Sequence, residues 1–218
     1  MTWYNGTNSS DYVGSSSWNY SWDSFRMWSG NDTVYAADTN TNLYFMGENG
    51  NDFFAGSYGQ DQAYGGADND TLYGRGNTDW LYGGGGSDHL YGGAGQDMLY
   101  GGTGTDYFHF AKGDSNAIAG QNDWIRDWNP AADYIDSSIR GTSSNYAERA
   151  TTVTSLTAAR SVVEHDNNLN YKDHVFLYNA NTDRGYLLSD LDGNYTFETG
   201  VIIEGAGSAS DLHSSDIL

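Results

Sequence analysis

Seven aspartates, Asp52, Asp61, Asp70, Asp79, Asp88, Asp97 and Asp106, recur every nine residues with no insertion. Carboxylates that return at one fixed place in a repeat form rows once the repeat winds up as strands. At a strand spacing of about 4.7–4.9 Å such rows repel themselves unless a cation sits between their members. Calcium suits the gap, because it accepts several oxygen ligands at about 2.3–2.6 Å in loose geometry. Magnesium gives up its waters reluctantly. Zinc lacks its usual donors, since the chain has no Cys and its histidines, His89, His109, His165, His174 and His213, are scattered. The competing reading is that Asp only shapes turns, a role that does not require Asp in every one of seven blocks.

The elements that would carry these rows lie in the same blocks. Cut from Gly47, the chain reads GENGNDFFA, GSYGQDQAY, GGADNDTLY, GRGNTDWLY, GGGGSDHLY, GGAGQDMLY and GGTGTDYFH, ending at His109. Gly is first, Asp sixth, and a non-polar residue eighth: Phe54, Ala63, Leu72, Leu81, Leu90, Leu99 and Phe108. Asp68 and Asn77 replace the fourth-position Gly, and both types tolerate left-handed backbone. Six Gly-rich residues predict a tight turn and the other three a short strand, its eighth residue inward and its seventh and ninth outward. One block is half a coil, so Asp52, Asp70, Asp88 and Asp106 share one edge while Asp61, Asp79 and Asp97 share the other. One inward apolar residue in nine cannot offset the ordering cost of so many glycines. Something besides the core must hold the coils.

This pattern resembles the RTX calcium-binding nonapeptide repeat, and it covers about a third of the chain at full strength. The resemblance implies an all-β fold, a parallel β-roll (a right-handed β-helix of two-block coils) with a β-rich C-terminal closing segment. It also implies how each ion is shared: one loop offers its second and fourth carbonyls and its Asp, and the loop one coil later its first and third carbonyls and its Asp. Carried over, Glu48, Gly50 and Asp52 would join Gly65, Ala67 and Asp70, and Ser57, Gly59 and Asp61 would join Gly74, Gly76 and Asp79. Gly66, Asp68 and Asp70 would join Gly83, Gly85 and Asp88, and Arg75, Asn77 and Asp79 would join Gly92, Ala94 and Asp97. Gly84, Gly86 and Asp88 would join Gly101, Thr103 and Asp106. Gly93, Gly95, Gly102 and Gly104 would face the closing segment, where Asp114 and Asp123 are the candidate final ligands. The expectation is about five or more calcium ions.

Residues 1–46 read as degenerate coils and an N-terminal cap, 47–109 as the calcium-binding roll, and 110–218 as the C-terminal cap. Gly6–Val13 resembles an opening repeat, and Gly30-Asn31-Asp32-Thr33-Val34 keeps Gly, Asp and an apolar residue at the proper offsets. Asp32 is therefore a candidate partner of Asp52, whereas Thr41 and Leu43 stand where Gly and Asp would fall and bar an ion there. Trp3, Tyr4, Tyr12, Trp18, Tyr20, Trp22, Phe25 and Trp28 crowd this segment. A cap over the open end is favoured over a sugar-binding platform, because an uncovered end exposes sheet edges. Downstream, Phe108–Ser115 and Asp123–Pro130 resemble the closing segment of serralysin-type proteases and mannuronan epimerases. A helix capped by Ser155 is expected to His165, then strands at His174–Tyr178, Gly185–Leu188 and Gly200–Ile203. Asp190-Leu191-Asp192-Gly193-Asn194 lacks the EF-hand spacing and reads as a plain turn.

The 29 acidic residues stand against nine basic ones, a net charge of −20 that argues against nucleic acid. No stretch approaches a membrane span. The closing Asp216-Ile217-Leu218 resembles the uncleaved type I secretion signal of the family. With no N-terminal leader and no Cys, it implies a bacterial protein exported to the extracellular space by type I machinery. Outside, the expected role is a surface, matrix or polysaccharide-binding module. Its contact face would be Tyr64, Tyr82 and Tyr100 beside Trp80 and Met98, with Tyr73 and Tyr91 on the opposite sheet; sheet-stabilising stacking is the alternative for these rings. Self-association through the same face stays open. An enzyme is not expected, for neither a His-Glu-x-x-His nor a Gly-x-Ser-x-Gly motif occurs. The alternative is the calcium module of a polysaccharide-acting or hydrolytic enzyme. Thr columns that could contact ice are absent.

Overall fold

A computed structural model describes residues 3–14, 24–36, 40–115, 121–137, 141, 144–166, 169, 172–191, 193–194, 196–197, 199–208 and 210–218. Trp18, Tyr20, Trp22 and Asp192 fall outside them. Two sheets stack face to face along a parallel β-solenoid of about five turns with 18-residue coils. The first contains β1 (Trp3–Asn5), β3 (Ser24–Arg26), β5 (Tyr44–Asn49), β7 (Gln62–Ala67), β9 (Trp80–Gly86), β11 (Met98–Gly104) and β13 (Asp123–Ile125), in that order. The second contains β2 (Tyr12–Val13), β4 (Thr33–Tyr35), β6 (Phe53–Ala55), β8 (Thr71–Gly76), β10 (His89–Ala94), β12 (Tyr107–Phe110) and β14 (Tyr134–Ser137).

All these neighbours pair in parallel, with equivalent repeat positions opposite each other: Leu81 faces Leu99, and Leu72 faces Leu90. That register follows from the nine-residue period, because a one-residue slip would turn the single inward side chain outward. The eighth-position residues are fully buried, and the column continues through Val13, Phe25, Val34 and Phe45 below and Ile125 and Ile135 above. Most strands outrun the expected three residues. In β7 to β11 backbone pairing runs on past the ninth residue through the glycines. A residue without Cβ lets the next coil lie flat upon it, so the turn begins later.

Beyond β13 the first sheet continues through β18 (Thr199–Glu204), β17 (Arg184–Ser189), β16 (His174–Asn179) and β15 (Tyr146–Ala150). β18 pairs in parallel with β13, so the end of the roll meets a paired strand rather than water. Helix α1 (Leu156–Glu164) has Ser155 as its N-cap, accepting from the Ala158 N–H. It buries Leu156, Ala159 and Val163 with Tyr186, Leu188, Phe197 and Ile202, a second core. Asp190 accepts from the Gly193 N–H in the turn between β17 and β18. Asp127 accepts from the N–H groups of Gly101 and Gly102, both at 2.9 Å, closing the last Gly-rich turn. At the opposite end Tyr4 and Phe25 pack in or against the core, while Trp3, Tyr12 and Trp28 stay exposed. No helix among the described residues is long and apolar enough to cross a membrane.

Candidate metal centre

The aspartates form the two edge rows that the spacing predicts, and one hydrogen bond builds them. The backbone N–H of each sixth-position residue donates to Oδ1 of the Asp one coil later: Asp52 to Asp70 at 2.8 Å, Asp70 to Asp88 at 2.8 Å, Asp79 to Asp97 at 2.8 Å. The first row also takes in Asp32, which donates to Asp52, and beyond it Asp11, while Asp106 donates to Asp133. The second row ends on Asp123, which accepts from Asp97 and donates to Ser115 Oγ at 2.8 Å. Asp123 thus joins a row. Asp114 does not: its Oδ2 turns back to the Ala111 N–H.

The second carboxylate oxygen carries the chemistry. Oδ2 of Asp32, Asp52, Asp70, Asp79, Asp88, Asp97, Asp106 and Asp123 is buried with no hydrogen-bond partner. A buried, unpaired carboxylate oxygen is costly. Burial accordingly drives the acid form, pushing Asp79 up to about 9, Asp70 to about 8 and both Asp52 and Asp97 to about 7. Neighbouring carboxylates add to the rise. Asp123, the most deeply buried, lies well above the ordinary carboxylate range for the same reason.

The first-position glycines border the same oxygens. A Cβ on Gly92 would stand 2.6 Å from Asp97 Oδ2, and one on Gly83 would stand 2.6 Å from the Gly101 carbonyl. The space a side chain would fill is lined by oxygen. In six of the seven blocks the second and fourth residues have left-handed φ, including the non-glycines Glu48 (77°), Asp68 (75°), Arg75 (82°) and Asn77 (71°). Among the described residues no group of three or more His, Cys, Asp or Glu could hold a metal ion by side chains alone. A cation here must take much of its shell from backbone carbonyls, as a hard, oxygen-seeking ion of flexible coordination does. The donor set fits calcium.

Spacing alone left other contacts unread. Fifth-position side chains form their own ladder, Asn31 Oδ1 accepting from Asn51 N–H and Asn51 Oδ1 from Asn69 N–H, each at 3.0 Å. On the outer face of the second sheet, His89 Nδ1 lies 2.8 Å from His109 Nε2, and His109 Nδ1 lies 2.7 Å from Asp136 Oδ2. On the first sheet, Tyr64, Tyr82 and Tyr100 stack at 4.5 Å with nearly parallel rings. The guanidinium groups of Arg126 and Arg184 lie 5.1 and 5.0 Å from the Trp124 ring centroid, both bonded to Glu204. Arg26 lies over Trp3 and Trp28 at the other end of that face.

The model of the RTX calcium-binding nonapeptide repeat (four copies) matches residues 46–81 and 73–108. The chain is similar to the solution structure of the AlgE6R3 subunit of the Azotobacter vinelandii mannuronan C5-epimerase. Identity is 27%, the TM-score 0.50, and the match covers 78% of this chain and 80% of that one. The AlgE6R2 subunit of that enzyme matches at 24% identity and a TM-score of 0.40, over 84% and 94% of the two chains. No curated protein matches. Residues 46–108 are thus RTX calcium-binding repeats, wound into a β-roll.

Proposed function

We propose that this chain is a secreted bacterial module that stays loose in calcium-poor cytosol, folds on calcium outside the cell, and there binds polysaccharide. The eight partnerless carboxylate oxygens carry this reading. Stacked and dry, they oppose the roll until a cation lies between them, and the bound ion supplies charge neutralisation and a shared oxygen shell. Asp52 with Asp70, Asp70 with Asp88, Asp88 with Asp106, and Asp79 with Asp97 would hold ions, helped by carbonyls of the flanking Gly-rich turns. Extracellular calcium modules bind at about 10⁻⁴–10⁻³ M. Several sites that exist only in the folded state make folding steep in calcium.

The outer face of the first sheet, Tyr64, Tyr82 and Tyr100 with Trp80 and Trp124, offers a continuous strip of ring edges and hydroxyls along which a sugar chain can lie, and Arg26 and Arg126 flank it. The name of the similar AlgE6R3 subunit, from a mannuronan C5-epimerase, points the same way. Circular dichroism during a calcium titration, with magnesium as control, tests the fold: sheet content should rise steeply with calcium alone. Glycan binding by the Tyr64→Ala, Tyr82→Ala, Tyr100→Ala triple variant tests the face, and undiminished binding by a folded variant removes it.

A further inference from the structure

Among the row aspartates, three have their Oδ2 closed by their own loop. The Ser57 N–H donates to Asp61 Oδ2 at 2.6 Å, the Thr7 N–H to Asp11 Oδ2 at 2.6 Å, and the Asn129 N–H to Asp133 Oδ2 at 2.8 Å. In each a small polar residue stands four positions before the Asp. In the Asp61 loop Ser57 and Gly59 also lack the left-handed backbone shown by the second and fourth residues of every other block. The Gly59 N–H turns inward to Ser57 Oγ at 2.7 Å, and Ser57 Oγ donates to the Thr41 carbonyl at 2.7 Å. The loop of Asp32 is the opposite case, although it precedes the matched repeats. Trp28 (φ 74°) and Gly30 (φ 128°) adopt the left-handed pair. Gly30 donates its N–H to the Asn49 carbonyl at 2.9 Å, as Gly50 does to Ala67 at 3.2 Å. Asp32 is 1% exposed, and its Oδ2 has no partner.

We propose that the level between Asp61 and Asp79 holds no ion. At Asp61 the Ser57 amide occupies the oxygen that a cation would otherwise take. An N–H dipole satisfies that carboxylate at any calcium concentration, so this coil is bonded before the others load. The same closure at Asp11 and Asp133 brackets the longer row, so its open carboxylates, Asp32 to Asp106, lie between two self-satisfied ones. This deepens the calcium reading and rests on it.

Native mass spectrometry of the full chain, loaded with calcium alone, counts the ions. Asp61→Asn should retain the wild-type count, whereas Asp88→Asn, from an open level, should lose calcium. Loss of an ion from Asp61→Asn overturns the proposal. Should Asp61→Asn fail to fold, a crystal structure of the calcium-loaded wild-type chain decides: a closed, ion-free loop supports the proposal and an ion between Asp61 and Asp79 sinks it. A wild-type chain that takes up no calcium defeats the proposed function itself, a distinct outcome.

Discussion

A dry carboxylate has two ways to lose its charge, binding a proton or sharing it with a cation, and the rows of this roll set the two against each other. Without metal, burial raises Asp52 and Asp97 to about 7, Asp70 to about 8 and Asp79 to about 9, whereas the unfolded chain titrates near 3.9. The folded state then holds more protons, so its metal-free stability is fully present below about pH 4 and is lost as pH rises through about 7 to 9. Chelated protein should show more sheet by circular dichroism at pH 4.5 than at pH 9, and calcium should reverse that order because it needs the ionised form. Equal sheet content at both pH values in chelator would refute the proton account. The seven repeat members of the rows were legible from spacing alone; Asp123 came from the resemblance, and Asp11 and Asp133, which join the row at irregular spacing, were not singled out. The three closed loops were not legible, since closure depends on backbone dihedrals at the second residue; the sign in hindsight is Thr7, Ser57 or Asn129 four residues before its Asp.

Each coil is a strand and a turn in which glycine and tyrosine do opposite work. Gly83 is required by space: a Cβ there meets Asp88 and the Gly101 carbonyl, the oxygens that border the gap. Gly83→Ala should cost about 1–3 kcal/mol of calcium-loaded stability and weaken calcium uptake, measured by denaturation with and without chelator. Tyr82 lies between Tyr64 and Tyr100 in a continuous stack. Tyr82→Ala should cost about 1 kcal/mol of sheet stability without changing the calcium count. A lost ion would show that the ring supports the turn rather than the sheet. The alternation of inward and outward residues was readable from the nine-residue period. The fifth-position Asn ladder and the His89–His109–Asp136 chain needed the coil-to-coil register, because the partners stand 18 to 27 residues apart in sequence.

Over the whole molecule, a thin core column is flanked at its sides by the carboxylate rows and closed at its ends by different devices. At the C-terminal end a parallel β13–β18 pair and a second helical core cover the roll, and Ile217 bridges to Ile135. Ile217→Ala should cost about 2–5 kcal/mol and raise the calcium concentration needed for folding, as followed by circular dichroism. An unchanged titration midpoint would mean the C-terminus docks without helping the roll close.

The order of Gly, Asp and apolar residues, copied at constant spacing, already dictated the parallel coil, its inward column and the demand for an oxygen-loving cation, since each depends only on period and residue type. Which carboxylate is left open and which is sealed by its own loop was decided by the folded backbone. So was the way the C-terminal strands join the first sheet rather than forming a separate layer. Those outcomes turn on the direction of individual N–H and C=O groups and on partners distant in the chain, which composition and spacing do not encode.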